Sequence, residues 1–378
     1  MIKRECCVFC NNTKLEIIHT ENNYPIALYG CEKIETYEYL DLIYASCSDC
    51  KIVQMTNLII PDKLYKINFN NTAHLPIWIK HHKLFFDFIN KNNIDKTNFI
   101  IDIGGGNNAL SKYFQYIYNN YTVLDIFETH NKLEKIHYII GNCETYNYTN
   151  CNTIIMSHVF EHLYYPRNFL NKVKNKGVTN IFISIPNMKK CVENNSICHV
   201  SSGHTFYYEE DNIIKLFNEF SYKLKDTYIF DDHSIFFYFS LCLEDKFNIN
   251  NMIIPDKNSI INIKNNLINL AKTISSLNFN KDNDIFILPA GGYGSKIYYY
   301  LNDNNKNKVI GFLDNDTTKH GKYLYGTSKI IYSLDYIKSY ISPIIIVNAG
   351  AHTNNVIKNI NDINSSAIIY NLYANIKN

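Results

Sequence analysis

The sequence predicts an α/β protein in three parts, two of which contain a parallel sheet. Through the middle of the chain, β-rich runs alternate with segments of helical length and periodicity, and the same alternation starts again near the C-terminus. A glycine-rich turn follows the first β-rich run of each series. The first fifty residues differ, because they hold six of the eleven cysteines. We therefore divide the chain into residues 1–70, 71–250 and 251–378.

Length and charge limit the function classes. A chain of 378 residues exceeds one ordinary core, which agrees with several domains. The net charge is only +2, from 37 basic and 35 acidic residues, so neither nucleic acid nor an acidic membrane is an expected partner. We find no apolar run of about 18 residues and no secretion signal. The sequence thus predicts a cytoplasmic protein with reduced thiols, and it does not indicate an oligomeric state.

The first glycine turn lies in "FIIDIGGGNNALSKYF", where we expect a strand, a turn, and a helix that begins at Asn107 or Asn108. A P-loop is excluded because no Gly-Lys-Ser/Thr follows the glycines. The spacing Gly104-x-Gly106-x-x-Ala109 formally fits a dinucleotide site. However, Asp102 would repel a pyrophosphate beside the turn, whereas S-adenosylmethionine (SAM) carries two cationic groups and no phosphate. The turn therefore favours SAM.

Later segments agree with a SAM site. Asp125 ends the second predicted strand and can accept both ribose hydroxyls. The segment "GNCE" follows the third strand, where an Asn side chain and a backbone N–H can read adenine. The ordered segments "DIGGG…LD…GNCE…SHVFEHL" resemble those of class I SAM-dependent methyltransferases. The predicted cofactor-binding residues are Asp102, Gly104, Gly105, Gly106, Asp125, Asn142, Cys143, Ser157 and His158.

Two C-x-x-C pairs lie in the first part: Cys7 with Cys10, and Cys47 with Cys50. Together they offer the four thiolates that structural zinc prefers. A closed four-sulfur site has no open position, so its expected role is in folding. A redox pair and an iron–sulfur cluster are the alternatives.

The order of the three parts resembles a known family, the three-part C-methyltransferases of nucleotide-linked deoxy-ketosugars. The resemblance rests on "CSDCKIVQMTNLIIPDKLY" in the first part, on the SAM motifs, and on "GGYGSK…GFLDND…KHGKYLYGTSKII" in the third. It implies a zinc module, a class I methyltransferase core with a Rossmann-like fold, and a Rossmann-like C-terminal domain. It also implies a nucleotide-sugar substrate.

The resemblance implies that His204, in "SSGHTFYYEEDNIIKLFNEF", is the base that removes a proton beside the ketone. A neutral imidazole with a pKa near 6.5 suits that task. The sequence departs from the family pattern, because Ser202 and Gly203 replace its first histidine and its glutamate, and Ser201 replaces a tyrosine. The alternative is a loop histidine with a packing role. Candidates to stabilise the enolate oxygen are Tyr207, Tyr208, Asn187 and His233.

Other histidines receive different interpretations. His158 and His162 follow the fourth predicted strand, and we expect them to line the cofactor site or to support the fold. His81 and His82 lie on a predicted helix whose apolar stripe belongs to the core.

The second glycine turn lies in "DIFILPAGGYGSKIYYYL", and the next predicted strand ends at Asp314. No carboxylate precedes these glycines, and Lys296 adds a positive charge, so the turn suits a diphosphate. The predicted substrate-binding residues are Gly292, Gly294 and Lys296. The alternative is a domain that only shapes the substrate cleft.

We therefore predict methyl transfer from SAM to a nucleotide-linked ketosugar, on the carbon beside the ketone, through an enolate. One alternative is methylation of a sugar oxygen or nitrogen, which needs no strong base and agrees with the departures near His204. The other is a catalytically inactive protein that binds SAM or a nucleotide sugar.

Overall fold

The fold is described from a computed structural model, for residues 1–27, 30–32, 37–64, 76–194, 203–243, 257–279 and 284–373. In these segments, no helix combines the length and the apolar character that crossing a membrane requires. Two residues discussed above, Ser201 and Ser202, lie outside the described residues.

The N-terminal part is a small antiparallel sheet. Strand β4 (Tyr39–Cys47) lies between β2 (Leu15–Pro25) and β5 (Val53–Met55). The fourth strand, β12 (Phe206–Tyr207), comes from the middle of the chain and pairs with β5. The other elements of this part are β1 (Ile2–Lys3), β3 (Gly30–Cys31), β6 (Asn57–Leu58) and α1 (Pro61–Leu64).

The central part is built on a seven-stranded sheet. Its strands are β7 (Ile100–Ile103), β8 (Tyr121–Asp125), β9 (His137–Ile140), β10 (Thr153–Ser157), β11 (Asn180–Pro186), β13 (Tyr222–Phe230) and β14 (Ser234–Leu241). Their order is β13-β14-β11-β10-β7-β8-β9. The strands from β7 to β11 are parallel, whereas β14 is antiparallel to both neighbours. The chain order reverses between β7 and β10, where open α/β sheets bind ligands.

The helices described beside this sheet are α2 (Pro76–Lys91), α3 (Pro166–Asn175), α4 (Met188–Glu193) and α5 (Glu210–Glu219). Helix α2 packs one face on the sheet, with the ring centroids of Phe85 and Phe236 4.8 Å apart. Both His81 and His82 are buried on this helix, as the apolar stripe predicts.

The prediction of a helix that begins at Asn107 or Asn108 is wrong. In the described segment after the glycine turn, only a short 3₁₀ turn forms, at Ser111–Tyr113. Asn108 adopts a left-handed conformation with φ of 59°, and the Asn107 side chain accepts a hydrogen bond from the Ala109 N–H at 2.9 Å. Asparagine side chains compete in this way with the backbone bonds of a helix.

The C-terminal part contains a second parallel sheet. Its strands are β15 (Ile285–Leu288), β16 (Val309–Leu313), β17 (Tyr323–Leu324), β18 (Ile330–Tyr332), β19 (Ile344–Val347) and β20 (Ile368–Asn371). Its helices are α6 (Lys257–Ser276), α7 (Gly292–Tyr300), α8 (Asp303–Lys308) and α9 (Thr353–Ile363). The order is β20-β19-β15-β16-β18-β17-β3, in which β17 is antiparallel to both neighbours.

Two strands connect the three parts. The N-terminal strand β3 completes the C-terminal sheet, and the central strand β12 completes the N-terminal sheet. The N-terminal and C-terminal sheets therefore each take one edge strand from another part of the chain.

Candidate functional site

A cavity of about 280 Å³ lies at the carboxyl ends of β7, β8 and β10, beside the point where the strand order reverses. Six predicted cofactor-binding residues line it: Gly104, Asp125, Asn142, Cys143, Ser157 and His158. Residues that the sequence did not single out also line it, including Pro61, Asn107, Phe127, Glu144 and Tyr164. Of these, only Asn107 and Glu144 carried a signal, since they lie within the motifs "GGGNN" and "GNCE".

The glycine turn separates Asp102 from the cavity. Asp102 is only 1% exposed, and its carboxylate accepts a hydrogen bond from the Tyr121 hydroxyl at 2.9 Å. A Cβ on Gly105 would collide with this carboxylate, so the turn can pass over it only without a side chain. Burial raises the pKa of Asp102 to about 7. Asp102 therefore lies beneath the wall of the cavity as a carboxyl that changes its charge near neutral pH.

Asp125 is held in place by the backbone and lies on the cavity wall. Its two carboxylate oxygens accept hydrogen bonds from the Gly106 N–H at 3.0 Å and the Phe127 N–H at 2.9 Å. Each oxygen keeps a second lone pair for a ligand. Burial raises the pKa of this carboxyl as well. The arrangement presents a fixed acceptor of two hydrogen bonds.

The loop after β9 supplies another part of the wall. The Asn142 side-chain oxygen accepts a hydrogen bond from the Glu144 N–H at 2.8 Å. Its amide nitrogen is left as the donor that can bind a ligand. Glu144 accepts from the backbone N–H groups of Tyr164 and Tyr165, at 3.0 and 2.5 Å. Glu144 thus joins this loop to the segment before α3.

Two residues at the end of β10 differ in whether their side chains have hydrogen-bond partners. The Ser157 hydroxyl is buried and has no hydrogen-bond partner in the described part of the chain. His158 Nε2 lies 2.8 Å from the Ser234 hydroxyl, and burial lowers its pKa to about 3, so its imidazole is neutral. His158 lines the cavity as a fixed wall, and Ser157 offers an unused hydrogen-bonding group.

A cluster of aromatic rings lies behind His158. The rings of His81, His158 and His233 have centroids 5.2 to 5.5 Å apart, and Trp78 packs edge-on against all three. His81 Nε2 lies 2.7 Å from the Ser184 hydroxyl, and burial lowers the pKa of His81. The sequence did not predict this cluster, because its members come from distant segments with no shared local pattern.

A second group of histidines adjoins the cavity through His162. His162 lines the cavity, and its ring packs edge-on against that of His204 with centroids 4.8 Å apart. His162 Nδ1 lies 2.7 Å from the Gly203 carbonyl oxygen, which can only accept, so Nδ1 carries the hydrogen and Nε2 the lone pair. Glu161 lies beside both rings, fully buried. The predicted base is thus one ring away from the cavity wall.

The other predicted catalytic residues lie in more structural surroundings. Tyr207 is buried against Tyr44 of the N-terminal sheet, and its hydroxyl donates to the His204 carbonyl at 3.2 Å. The Asn187 side chain accepts from the Lys190 N–H at 3.2 Å and caps α4. The Tyr208 hydroxyl donates to the Pro186 carbonyl at 3.4 Å.

The structure corrects the prediction made for the second glycine turn. Gly292 begins α7, and a Cβ on Gly294 would collide with the Pro289 carbonyl oxygen. Lys296, predicted to bind a diphosphate, is 1% exposed and forms an ion pair with Glu21 of β2 at 2.5 Å. The Lys296 ammonium therefore joins the C-terminal part to the N-terminal sheet and does not face a ligand.

The four predicted metal ligands come together. The sulfurs of Cys7, Cys10, Cys47 and Cys50 all lie within 4.8 Å of one another. The Cys7–Cys50 and Cys10–Cys47 sulfur distances are 3.4 and 3.5 Å. A tetrahedral zinc with Zn–S bonds of about 2.3 Å separates its sulfurs by about 3.8 Å, so the set fits zinc after a small expansion.

The remaining cysteines vary in exposure. Cys6 is exposed, Cys31, Cys151 and Cys191 are buried, and Cys143 and Cys242 are half-buried.

Comparison with protein families finds one match. Residues 78–226 match the family described as a methyltransferase domain, a stretch that contains the whole cavity wall except Pro61. The central part of the chain is therefore a methyltransferase domain, and the protein is a methyltransferase. Comparison with curated protein sequences found no match.

Solved structures of methyltransferases resemble about half of this chain. Magnesium protoporphyrin IX methyltransferase from Synechocystis PCC 6803, with bound S-adenosylhomocysteine, is 12% identical, with a TM-score of 0.35 over 47% of this chain and 89% of that chain. The 1,6-didemethyltoxoflavin N1-methyltransferase of Burkholderia thailandensis is 10% identical, with a TM-score of 0.38 over 52% and 97%. An N-methyltransferase from Bradyrhizobium japonicum WM9 is 10% identical, with a TM-score of 0.36 over 46% and 91%.

The strand order and the family match confirm the predicted α/β fold with its class I methyltransferase core. The finer resemblance, to sugar C-methyltransferases, stays a prediction.

Proposed function

We propose that the protein transfers a methyl group from SAM to the carbon beside the ketone of a nucleotide-linked deoxysugar. One observation carries the proposal. The same cavity is lined by Gly104 and Asp125 and by His162, whose ring packs against that of His204. A site for a methyl donor therefore adjoins a candidate base.

The residues of the cavity suit SAM in charge and in hydrogen bonding. Asp125 offers two fixed acceptors for a ribose, and the Asn142 amide nitrogen with the Cys143 backbone can read an adenine edge. The unpartnered Ser157 hydroxyl supplies one more polar contact. When bound, SAM supplies an electrophilic methyl group.

The glycine turn favours a cationic ligand over a phosphate. Dinucleotide sites place the pyrophosphate at the N-terminus of a helix, where the backbone carries partial positive charge. In this chain no α-helix begins at the turn in the described segment after Gly106, and the buried carboxyl of Asp102 lies directly beneath it. Both features oppose an anion and agree with a sulfonium and an ammonium.

The acceptor chemistry requires a base, because carbon becomes nucleophilic only after it loses a proton. His204 is the proposed base, and the proton moves from the substrate carbon to its imidazole. The candidates to stabilise the enolate oxygen remain Tyr207, Tyr208, Asn187 and His233. Of these, His233 adjoins a residue of the cavity wall, since its ring lies 5.4 Å from that of His158.

We propose further that the C-terminal part binds the nucleotide near Gly292 and Gly294. In this proposal the backbone N–H groups of the turn take the place that the sequence assigned to the Lys296 ammonium. The four cysteines Cys7, Cys10, Cys47 and Cys50 are proposed to hold a structural zinc.

Mass spectrometry of nucleotide-linked 4-ketosugars incubated with the protein in heavy water, with and without SAM, tests the function. We expect deuterium beside the ketone without SAM and an added methyl with SAM. His204→Gln should abolish both, whereas His137→Gln, an exposed histidine at the opposite edge of the sheet, should change neither. If a methyl group is added without deuterium exchange, and His204→Gln does not slow its addition, the methyl is transferred to oxygen or nitrogen. SAM binding with no reaction on any sugar would indicate an inactive binding protein.

A further inference from the structure

Glu161 occupies an unusual position for an acid. It lies in the 3₁₀ turn Phe160–His162 that follows β10, and it is fully buried. Neither carboxylate oxygen has a hydrogen-bond partner within the described segments. Burying an unpaired carboxyl destabilises a fold, and a glutamine or leucine would destabilise it less. The position therefore points to a role in function.

Titratable groups from three elements surround Glu161. His162 follows it on the same turn, and His158, at the end of β10, brings Nδ1 to 3.4 Å from one carboxylate oxygen. His204 precedes β12, and single ligand atoms of Glu161, His162 and His204 all lie within 4.8 Å of one another. Tyr208, just after β12, also faces the carboxyl but donates its hydroxyl hydrogen to the Pro186 carbonyl.

Only part of this group can carry a positive charge. Burial lowers the pKa of His158 to about 3, so His158 stays neutral at physiological pH. His162 and His204 pack ring against ring, and the His162 tautomer is fixed by the Gly203 carbonyl. A proton that reaches His204 therefore enters a pair of imidazoles whose nearest carboxyl in this group is Glu161.

We infer that Glu161 is a positioning residue that stabilises the protonated His162–His204 pair while His204 holds the substrate's proton. The inference rests on the proposed function. In the step concerned, the substrate C–H bond breaks, an N–H bond forms on His204, and the electron pair stays on the substrate as an enolate. The new positive charge on the imidazoles then faces the Glu161 carboxylate, which strengthens His204 as a base.

The charge state of Glu161 agrees with this role. Burial raises its pKa to about 7, close to the ordinary range of an imidazole. A carboxyl and an imidazole with similar proton affinities can exchange charge near neutral pH at little cost, which suits a reversible proton transfer.

The first test measures proton affinity without turnover. The imidazole C–H resonance of His204, assigned with His204→Gln, is followed by NMR from about pH 5 to pH 9. Glu161→Gln should lower the pKa of His204 by about one unit, because it removes the negative charge. Glu161→Asp should restore part of the shift. An unchanged pKa in Glu161→Gln would overturn the inference.

The second test measures deuterium exchange into a ketosugar over the same pH range. Glu161→Gln should slow exchange about tenfold and move its half-maximal pH down by about one unit. The control Glu219→Gln removes a partly exposed acid paired with Arg167 and should leave exchange unchanged. If the wild type exchanges and Glu161→Gln matches it, only this inference fails. If the wild-type protein introduces deuterium into none of the ketosugars, the proposed function fails, and the inference fails with it.

The metal dependence of the activity tests whether these three residues bind a metal ion. Activity that a chelator abolishes, that zinc restores, and that Glu161→Gln removes would make Glu161, His162 and His204 metal ligands, which overturns the role in proton transfer. We expect exchange to survive a chelator at concentrations that leave the fold intact.

Discussion

Asp102 and Asp125 end neighbouring parallel strands, yet their surroundings give them different tasks. Asp125 is fixed by two backbone N–H groups and faces the cavity. Asp102 lies under the glycine turn, its carboxylate accepts a hydrogen bond from the Tyr121 hydroxyl, and burial raises its pKa to about 7. We therefore propose that Asp125 acts on a ligand through directed hydrogen bonds and that Asp102 acts through its charge.

The raised pKa of Asp102 predicts a pH-dependent affinity for SAM. The ionised carboxyl attracts the cationic ligand, so affinity should rise from about pH 5.5 to pH 7 as Asp102 loses its proton. Affinity should fall again above about pH 8, where the ligand's α-amino group loses its own proton. Calorimetric titrations across this range measure both limbs. In Asp102→Asn the rise should disappear and the fall should remain; a rise of equal size in the variant would contradict the assignment.

At the scale of elements, the glycine turn matters because it brings backbone close to two acids. A Cβ on Gly106 would lie 2.7 Å from an Asp125 carboxylate oxygen, and Gly104 has a φ of 75°. Neither position tolerates a side chain without moving a residue of the cavity wall.

Gly106→Ala should therefore weaken SAM binding by displacing Asp125. We expect a loss of about tenfold or more in affinity, with a small change in the unfolding temperature. Gly291→Ala in the second glycine turn is the matched control, because no heavy atom lies within 4 Å of its added Cβ. Equal SAM affinity in the two variants would show that the first turn does not shape the donor site.

The sequence predicted some elements better than others for physical reasons. Runs such as Ile100–Ile103 and Thr153–Ser157 are rich in β-branched residues between polar turns, and they form buried parallel strands. The segment after Gly106 has a helical length and apolar spacing, but Asn107 and Asn108 redirect the backbone before a helix can start. Side-chain hydrogen bonds of this kind are invisible to periodicity.

At the scale of the whole molecule, the buried pair of Lys296 and Glu21 fastens the C-terminal part to the N-terminal sheet. The two side chains are 1% and 0% exposed, and the Lys296 ammonium also lies 3.3 Å from the Tyr44 hydroxyl. The sequence alone assigned Lys296 to a ligand, because nothing local reveals a partner 275 residues away. The meeting of His81, His158 and His233 was hidden for the same reason.

Breaking this pair should destabilise the fold strongly. Lys296→Met leaves Glu21 buried without its cation, and we expect a loss of about 3 kcal/mol in the free energy of unfolding, measured with urea. The double variant Glu21→Gln, Lys296→Met should recover much of that loss. Lys83→Met, which breaks an exposed pair with Asp87, should cost less than about 1 kcal/mol. Equal costs for the two single lysine variants would contradict the role of the buried pair.

The cysteine cluster predicts a metal-dependent fold. We expect about one zinc per chain by elemental analysis, and a chelator should lower the unfolding temperature. Cys47→Ser should lose the metal, whereas Cys6→Ser should keep it, because Cys6 is exposed and lies outside the four-sulfur group. A metal-free protein of unchanged stability would refute structural zinc.

The site of methylation distinguishes enolate chemistry from transfer to oxygen or nitrogen. The protein is incubated with a nucleotide-linked 4-ketosugar and SAM labelled with carbon-13 in its methyl group, and the product is examined by NMR. We expect a labelled methyl that couples to a ring carbon beside the former ketone. A labelled methyl bonded to oxygen or nitrogen would contradict enolate chemistry and the role of His204 as its base.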